Sequence, residues 1–426
     1  MNKLAIDGGT PARSVPLPPN YPGATVMGVE EADRAGITLK AQSPFRYYGP
    51  HPQNAVRQLE ELMARDLGVP YTLGVSSCTA ALVVALKALG IGYGDKVIVP
   101  ANTFLATPGA VVASHAVPVF VDVDDTLNMN PDDLERIMDD EVKAIITVPI
   151  LGSPVDLDPI LAFAKQRGIA VIEDVAQSLG TTYKGRYAGT LGDIGVYSFQ
   201  MNKILTAGEG GAVVTSDPVL FDRAVRYHDQ GIFRDKDRYG MESPEETHAF
   251  LGQNYRMSDL SGAVLVEQWN KLEGVITRMR ERCRAIRSML SAELPDLRFR
   301  RSSDPDGDIG SNLGMFLPSA AVAERFIQAL NAENIGTYLL YGGRPVYMLP
   351  QIFHQKTVDK TGFPFDYPFR NPVVYTADMC PTAVDLMPRT VYLPVSPVLT
   401  DQDVTEIVDG IVKVWKSINS VMNRAD

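Results

Sequence analysis

The chain has 426 residues, 45% hydrophobic and 21% charged, and 40 Lys+Arg against 51 Asp+Glu leave a net charge of −11. That length buries a sizeable core in about two or three domains, and the acidic balance argues against nucleic acid or an anionic membrane as a partner. No basic start followed by an apolar stretch marks a secretory leader, and no run of about 18 apolar residues could span a bilayer.

Taken in order, strands and helices alternate. "YTLGVSS" precedes the helical "CTAALVVALKALG", "DKVIVP" precedes "NTFLATPGAVVAS", "VPVFVDV" precedes "PDDLERIMDD", and "VKAIITVPI" precedes "DPILAFAKQRG". "IAVIED", "DIGVYSF" and "GAVVTSD" follow with little helix between them. Val- and Ile-rich strands separated by helices predict an α/β fold, a mostly parallel sheet covered on both faces. Its ligands bind at the carboxyl ends of the strands. From Ser258, an N-cap, "SDLSGAVLVEQWNKLEGVITRMRERCRAIRSML" reads as one long linking helix. This divides the chain into an N-terminal arm and large domain (1–257), a linking helix (258–290) and a small C-terminal domain (291–426). In the last, "FPFDYPFRNPVVYTADMCP" reads as a long structured loop of the kind that lines sites. "DQDVTEIVDGIVKVWKSI" closes the chain as an amphipathic helix.

Several chemistries are absent. There is no Walker-type phosphate loop, and "GEGGAV" has Val213 where the third glycine of a dinucleotide fingerprint belongs. His51, His115, His228, His248 and His354 are scattered without ligand spacing, so no metal site is expected. Cys78, Cys283 and Cys380 lack it too, and a reduced cytoplasm is the simplest setting.

Three features point elsewhere. Lys203 lies between two apolar strands, with no charged residue nearer in sequence than Glu209. Asp174, beside Glu173, ends the fifth strand; it either caps a turn or faces the ligand crevice. Ser76, Ser77, Cys78 and Thr79 open a helix, where hydroxyls serve as an ordinary N-cap or leave backbone N–H groups for a phosphate. Together, a phosphate cradle, a carboxylate at a strand end and an isolated lysine are what pyridoxal phosphate requires. The amine must lose its proton to bond the aldehyde, and partial burial favours that. The carboxylate keeps the pyridine nitrogen protonated, and a freed lysine can move a proton between carbons.

"SSCTAAL", "PANTFLAT", "EDVAQSLGTTYKGRYAGTLGDIGVYSF", the lysine before "GEGGAVVTSD", and "NYRMSDLSGA" occur in that order. The sequence thereby resembles the DegT/DnrJ/EryC1/StrS family of sugar and cyclitol aminotransferases, from about Leu4 to the C-terminus and most specifically through Ala263. The resemblance implies pyridoxal-phosphate fold type I, with a seven-stranded sheet in the large domain and a smaller α+β domain. It makes Lys203 the Schiff-base lysine and Asp174 the partner of the pyridine nitrogen. Gln177 would lie near the ring hydroxyl, and Cys78, Thr79 and Ser198 would hold the phosphate. Phe104, otherwise read as core, would stack on the ring. Asn254, otherwise a turn residue, would reach the cofactor phosphate of the neighbouring subunit in a homodimer with shared sites.

Two positions depart from the family pattern. Cys78 stands where glycine is common, and Ile150 stands where many members carry histidine, in a region that can face the substrate. The "GGTPAR" opening leans towards the cyclitol and aminohydroxybenzoate branches. The implied reaction moves an amino group from glutamate or glutamine to a keto-sugar or keto-cyclitol. A dehydratase or aromatising lyase on the same fold, and a non-catalytic cofactor-binding regulator, are the alternatives. Sugar dehydratases of the family replace the lysine with histidine, which Lys203 argues against.

Overall fold

The computed structural model describes residues 3–234, 238 and 249–422; His248 lies outside them. Thirteen strands appear among the described residues: β1 (Tyr71–Val75), β2 (Lys96–Pro100), β3 (Val117–Val121), β4 (Val142–Thr147), β5 (Ala170–Asp174), β6 (Thr182–Tyr183), β7 (Arg186–Tyr187), β8 (Ile194–Ser198), β9 (Gly211–Thr215), β10 (Arg298–Phe299), β11 (Asn312–Phe316), β12 (Tyr338–Leu339) and β13 (Thr390–Pro394). The large sheet has seven, in the order β1-β9-β8-β5-β4-β2-β3. Only β9 runs against the others, pairing antiparallel with β1 and β8. The expected seven-stranded, mostly parallel sheet is therefore present. Its strands read as unbroken apolar runs because both faces are covered: every residue of β2, β8 and β9 is buried.

Helix Cys78–Ala88 is apolar nearly all round, as a helix enclosed on all sides must be. It packs between the sheet and the helices Ala106–Ala113 and Pro218–His228. On the other side, helices Ala55–Leu67 and Asp259–Asn270 cover β8 and β9 through Leu59, Met63, Leu265 and Trp269. A four-stranded antiparallel sheet, β10-β11-β13-β12, forms a second core with helices Ala320–Ala332 and Asp401–Met422.

Three expectations change in detail. The run from Ser258 is two helices, Asp259–Asn270 and Leu272–Glu293, joined at Lys271. "PDDLERIMDD" forms only a short 3-10 turn and the four-residue helix Leu134–Ile137. The aromatic loop does not line the site. It runs down the open edge of β3, the last strand of the sheet, where the Tyr375 hydroxyl donates to the Pro118 carbonyl (2.7 Å). The N–H groups of Thr382 and Ala383 donate to the Asp122 carboxylate (2.8 and 2.9 Å). Covering an edge strand in this way removes a template for unwanted pairing.

Lys96, fully buried, pins this loop. Its amine meets Asp139 (2.6 Å), Glu141 (2.8 Å) and the Asn371 carbonyl (2.9 Å), and lies over the Phe369 ring. Packing thus cuts across chain order. Val346, Ile352 and Tyr375 join the core of the large sheet, while Leu4, from the N-terminal arm, joins the core of the small one. Glu333 ties the arm down by accepting from the N–H groups of Ala5 and Ala12.

Candidate active site

The carboxyl ends of β1, β5 and β8 open onto one cavity of about 690 Å³. Strand alternation separates the two acidic residues that end β5. Glu173 turns to one face, where it accepts from the N–H groups of Gly189, Leu191 and Gly192 (2.8, 2.7 and 2.7 Å) and closes a turn. Asp174 turns to the other and forms part of the cavity wall, only 3% exposed. Its Oδ2 accepts from the Thr107 hydroxyl (2.8 Å) and its Oδ1 from the Ala176 N–H (3.1 Å), with the Cys78 thiol 3.9 Å away. Burial pushes its pKa up; the bonds from Thr107 and Ala176 and the Lys203 charge oppose the rise.

Lys203 sits in the loop between β8 and β9. That loop is held by Phe199, whose carbonyl accepts from the Ala207 N–H and the Thr206 hydroxyl. Gln268, from helix Asp259–Asn270, pins it through the Thr206 N–H (3.2 Å). The Lys203 carbonyl accepts from the N–H of Gly23 (3.2 Å), so the N-terminal segment buttresses the lysine. The amine is half-buried in the cavity wall. Burial lowers its pKa, and the nearby Cys78 and Asp174 groups resist that fall. Glu209 lies exposed at the rim of the same cavity.

Ser77 is an N-cap in the ordinary sense, its hydroxyl accepting from the Ala80 N–H (3.1 Å). Cys78 and Thr79 are the first two helical residues, so their N–H groups have no intrahelical acceptor. Both features of the helix start therefore hold at once. Gly211, which opens β9, makes the approach possible. A Cβ there would lie 2.5 Å from the Ser77 carbonyl carbon and 2.6 Å from the Cys78 nitrogen. The Cys78 thiol is driven well above its usual pKa by burial and by the Asp174 charge, so it remains a neutral thiol.

Seven of the eight sequence-predicted residues line this cavity: Cys78, Thr79, Phe104, Asp174, Gln177, Ser198 and Lys203. Phe104 is 56% exposed at its mouth, which overturns the core reading of that residue. Asn254 is apart from it, exposed, in an isolated bridge with Asp229. Ile150 is buried in the core, and it is its neighbour Leu151 that faces the cavity.

Sequence reasoning missed Thr107 and the wall contributed by the small sheet: Ser311, Asn312, Tyr338 and Tyr341. Thr107 lay inside the quoted "PANTFLAT" without a role. The Tyr341 hydroxyl accepts from the Gln177 amide N–H (2.7 Å). Its one sequence signal is the "YGG" turn, in which Tyr341, Gly342 and Gly343 all have positive φ. Among the described residues, no three His, Cys, Asp or Glu side chains cluster as metal ligands, and no helix is long and apolar enough to cross a membrane.

The model of the DegT/DnrJ/EryC1/StrS aminotransferase family matches residues 47–412. The chain is 40% identical over 229 residues to a GDP-perosamine synthase of Escherichia coli O157:H7, across 54% of this chain and 61% of that protein, less than two thirds of its length. It is 35% identical over 344 residues to the L-glutamine:2-deoxy-scyllo-inosose aminotransferase of Streptomyces kanamyceticus, covering 78% of each. Among solved structures, it superposes on the aminotransferase from Psychrobacter cryohalolentis with a TM-score of 0.79 at 28% identity, over 94% of this chain and 100% of the other. The structure of DesI with its TDP-sugar product gives 0.77 at 26% identity, over 99% of both chains. The structure of 3-amino-5-hydroxybenzoic acid synthase gives 0.80 over 95% of this chain and 100% of the other; at 24% identity this likeness is one of fold. The family match spans most of the chain, and the expected sheet and helix order are both present: this protein belongs to the DegT/DnrJ/EryC1/StrS family of pyridoxal-phosphate-dependent aminotransferases.

Proposed function

We propose that this chain transfers an amino group from glutamate or glutamine to a keto-sugar or keto-cyclitol, using pyridoxal phosphate bonded to Lys203. The observation that carries this reading is the convergence of a half-buried lysine and a buried carboxylate on one cavity, beside a helix start with free N–H groups.

The residues present fit the cofactor. The Asp174 carboxylate has about four lone-pair positions and uses two for well-formed bonds, so it can accept one more, from a ring N–H. A cationic ring nitrogen would also offset the burial that raises its pKa. Cys78 and Thr79 would give their N–H groups to the phosphate, joined by Ser198, and Phe104 would cover one ring face. Gln177, held by Tyr341, would face the ring hydroxyl. Once bound, the cofactor supplies an electron sink for a carbanion at the carbon that carries nitrogen. Lys203, its pKa lowered by burial, takes and returns the proton there. The relatives named for perosamine and for 2-deoxy-scyllo-inosose support a keto-sugar or keto-cyclitol acceptor, and the second supports glutamine as donor. Asn254 is exposed and away from its own chain's cavity, which leaves it free to serve a site on a second copy and supports the reading of a homodimer with shared sites.

The test begins with reconstitution. The loaded protein should absorb in the visible, and borohydride should fix the cofactor to the peptide carrying Lys203. A colourless protein, or a label on Lys184 or Lys271, would refute the assignment. Keto-sugars and keto-cyclitols should then be screened against protein loaded with pyridoxamine phosphate, following return of the visible band. If only a dehydration or aromatisation product forms, the transfer reading is wrong.

A further inference from the structure

Thr107 lines the cavity, and behind it Thr103 continues a string of hydrogen bonds that ends on Asp174. Thr103 Oγ1 lies 2.8 Å from Thr107 Oγ1, which lies 2.8 Å from Asp174 Oδ2. Both threonines are only 1% exposed. The string crosses the sheet: Thr103 follows β2, Asp174 ends β5, and β4 runs between those two strands.

Donor and acceptor roles fix its direction. An ionised carboxylate can only accept, so the single hydroxyl proton of Thr107 goes to Asp174. The Thr107 oxygen then has only lone pairs to offer, and Thr103 must be the donor in their bond. Each bond polarises the next, so a hydroxyl that accepts a proton is itself a stronger donor. Thr103 is also held in place from outside the string. The Ala101 N–H donates to the Val121 carbonyl (2.9 Å), and the Ala101 carbonyl accepts from the Val346 N–H (2.8 Å). The Asn102 amide donates to the Leu127 carbonyl (2.9 Å). The donor is fixed by contacts that owe nothing to Asp174.

We propose that Thr103 is a positioning residue for Asp174, acting through Thr107 in a directed relay that favours the ionised carboxylate. Thr103 is not one of the residues lining the cavity, so its effect must pass through Thr107. This deepens the proposed aminotransferase reading and rests on it only for the cofactor nitrogen that Asp174 serves. The titratable groups that face Asp174 are the Cys78 thiol at the helix start, the Lys203 amine in the β8–β9 loop and the Tyr341 hydroxyl from the small domain. Substitutions in the relay leave all three in place, so a difference between variants reports the relay.

The test titrates the Asp174 carboxyl in the full chain before cofactor is added, by carbon NMR of protein isotopically labelled at its aspartate carboxyls. The Asp174 signal is the one lost in Asp174→Asn. Thr107→Val removes a charge-assisted bond and should raise the midpoint by about 1–2 pH units. Thr103→Val, of the same shape without the hydroxyl, should raise it by about 0.3 unit, the polarisation of that one bond. Thr103→Ser keeps the donor and should leave the midpoint where it is. The double valine variant should match Thr107→Val alone, because Thr103 has no other route to Asp174. The pH below which affinity for added pyridoxal phosphate falls should move in the same order. An unmoved midpoint in Thr103→Val overturns the proposal, and a lowered Tm beside it would mark a purely structural role. So does a Thr103→Ser midpoint that moves as far as that of the valine, a double variant that sums the two shifts, or cofactor affinity whose pH dependence is the same in every variant. Failure of the aminotransferase reading would appear separately, as no borohydride label on Lys203, and the carboxyl titration would still decide the relay.

Discussion

Asp174 and Glu173 are adjacent carboxylates at one strand end, both buried, both with pKa values raised by that burial, and they do different things. Three backbone N–H groups satisfy Glu173, while Asp174 keeps acceptor capacity towards the cavity. Asp174→Asn should therefore still bind cofactor but lose about 2–3 kcal/mol of transition-state stabilisation, roughly a hundredfold in kcat. Near-normal turnover would show that another carboxylate does this work. Glu173→Gln should behave in the opposite way. An amide turned towards N–H donors should cost about 1–3 kcal/mol of stability, seen as a lower Tm with a nearly unchanged kcat. Thr107→Val removes the hydroxyl that holds the Asp174 pKa down. In its proposed role Asp174 must be ionised, so the acid limb of the rate profile should move to higher pH, and an unmoved limb would exclude Thr107 as its positioning residue. Lys203 and Asp174 were legible in sequence because an isolated lysine between apolar strands and an acid at a strand end are both anomalies. Thr107 was not, because one hydroxyl in a helical turn resembles any other. Phe104 was legible only through the family pattern, since an aromatic residue beside a strand reads as core.

At the scale of elements, local pattern predicted most strands and helices, and the differences come from contacts distant in sequence. No proline or glycine marks the break at Lys271, where the side chain leaves the helix line. Its amine reaches the Val26 carbonyl (3.0 Å) and Glu31 (2.8 Å), both more than two hundred residues away in sequence. The aromatic loop was read as site-lining because its partners, the edge of β3 and the buried Lys96, cannot be inferred from its own composition. Helix Pro218–His228 ends on a residue with a measurable pH consequence. His228 is buried, its Nδ1 donating to the Val225 carbonyl and its Nε2 accepting from the Tyr47 hydroxyl (3.2 Å). Burial, then the Arg46 charge, lower its pKa from 6.5 to about 3. The unfolded chain therefore takes up a proton below its ordinary pKa while the folded chain does not. Stability contributed by neutral His228 is present above pH 6.5 and is lost as pH falls towards about 3. Tm should drop on acidification between about pH 7 and pH 4, and His228→Gln, which can still accept from Tyr47, should flatten that slope. A slope identical in the variant would assign the acid sensitivity to other groups.

At the scale of the whole molecule, the placement of Asn254 matters most. The family resemblance assigns it to the neighbouring subunit's cofactor, and in the fold it is exposed and does not line its own chain's cavity. The proposed two-fold dimer gives each cavity a lysine from one chain and an asparagine from the other. In that arrangement a Lys203→Ala homodimer should be inactive, and a homodimer carrying Asn254→Trp should be badly impaired, because each change damages both sites. A mixed dimer distributes the damage unevenly. One site collects both lesions, while the other takes its lysine and its asparagine from undamaged positions. Co-expressing the two variants with different tags and isolating the doubly tagged dimer should therefore recover about half of wild-type activity per dimer, as two-fold symmetry requires. The exposure of Asn254 makes the bulky substitution tolerable to the monomer fold, so loss of activity in its homodimer can be attributed to the shared site once an unchanged Tm is recorded. If the mixed dimer is no more active than the impaired Asn254→Trp parent, Asn254 acts within its own chain, and each subunit is catalytically complete.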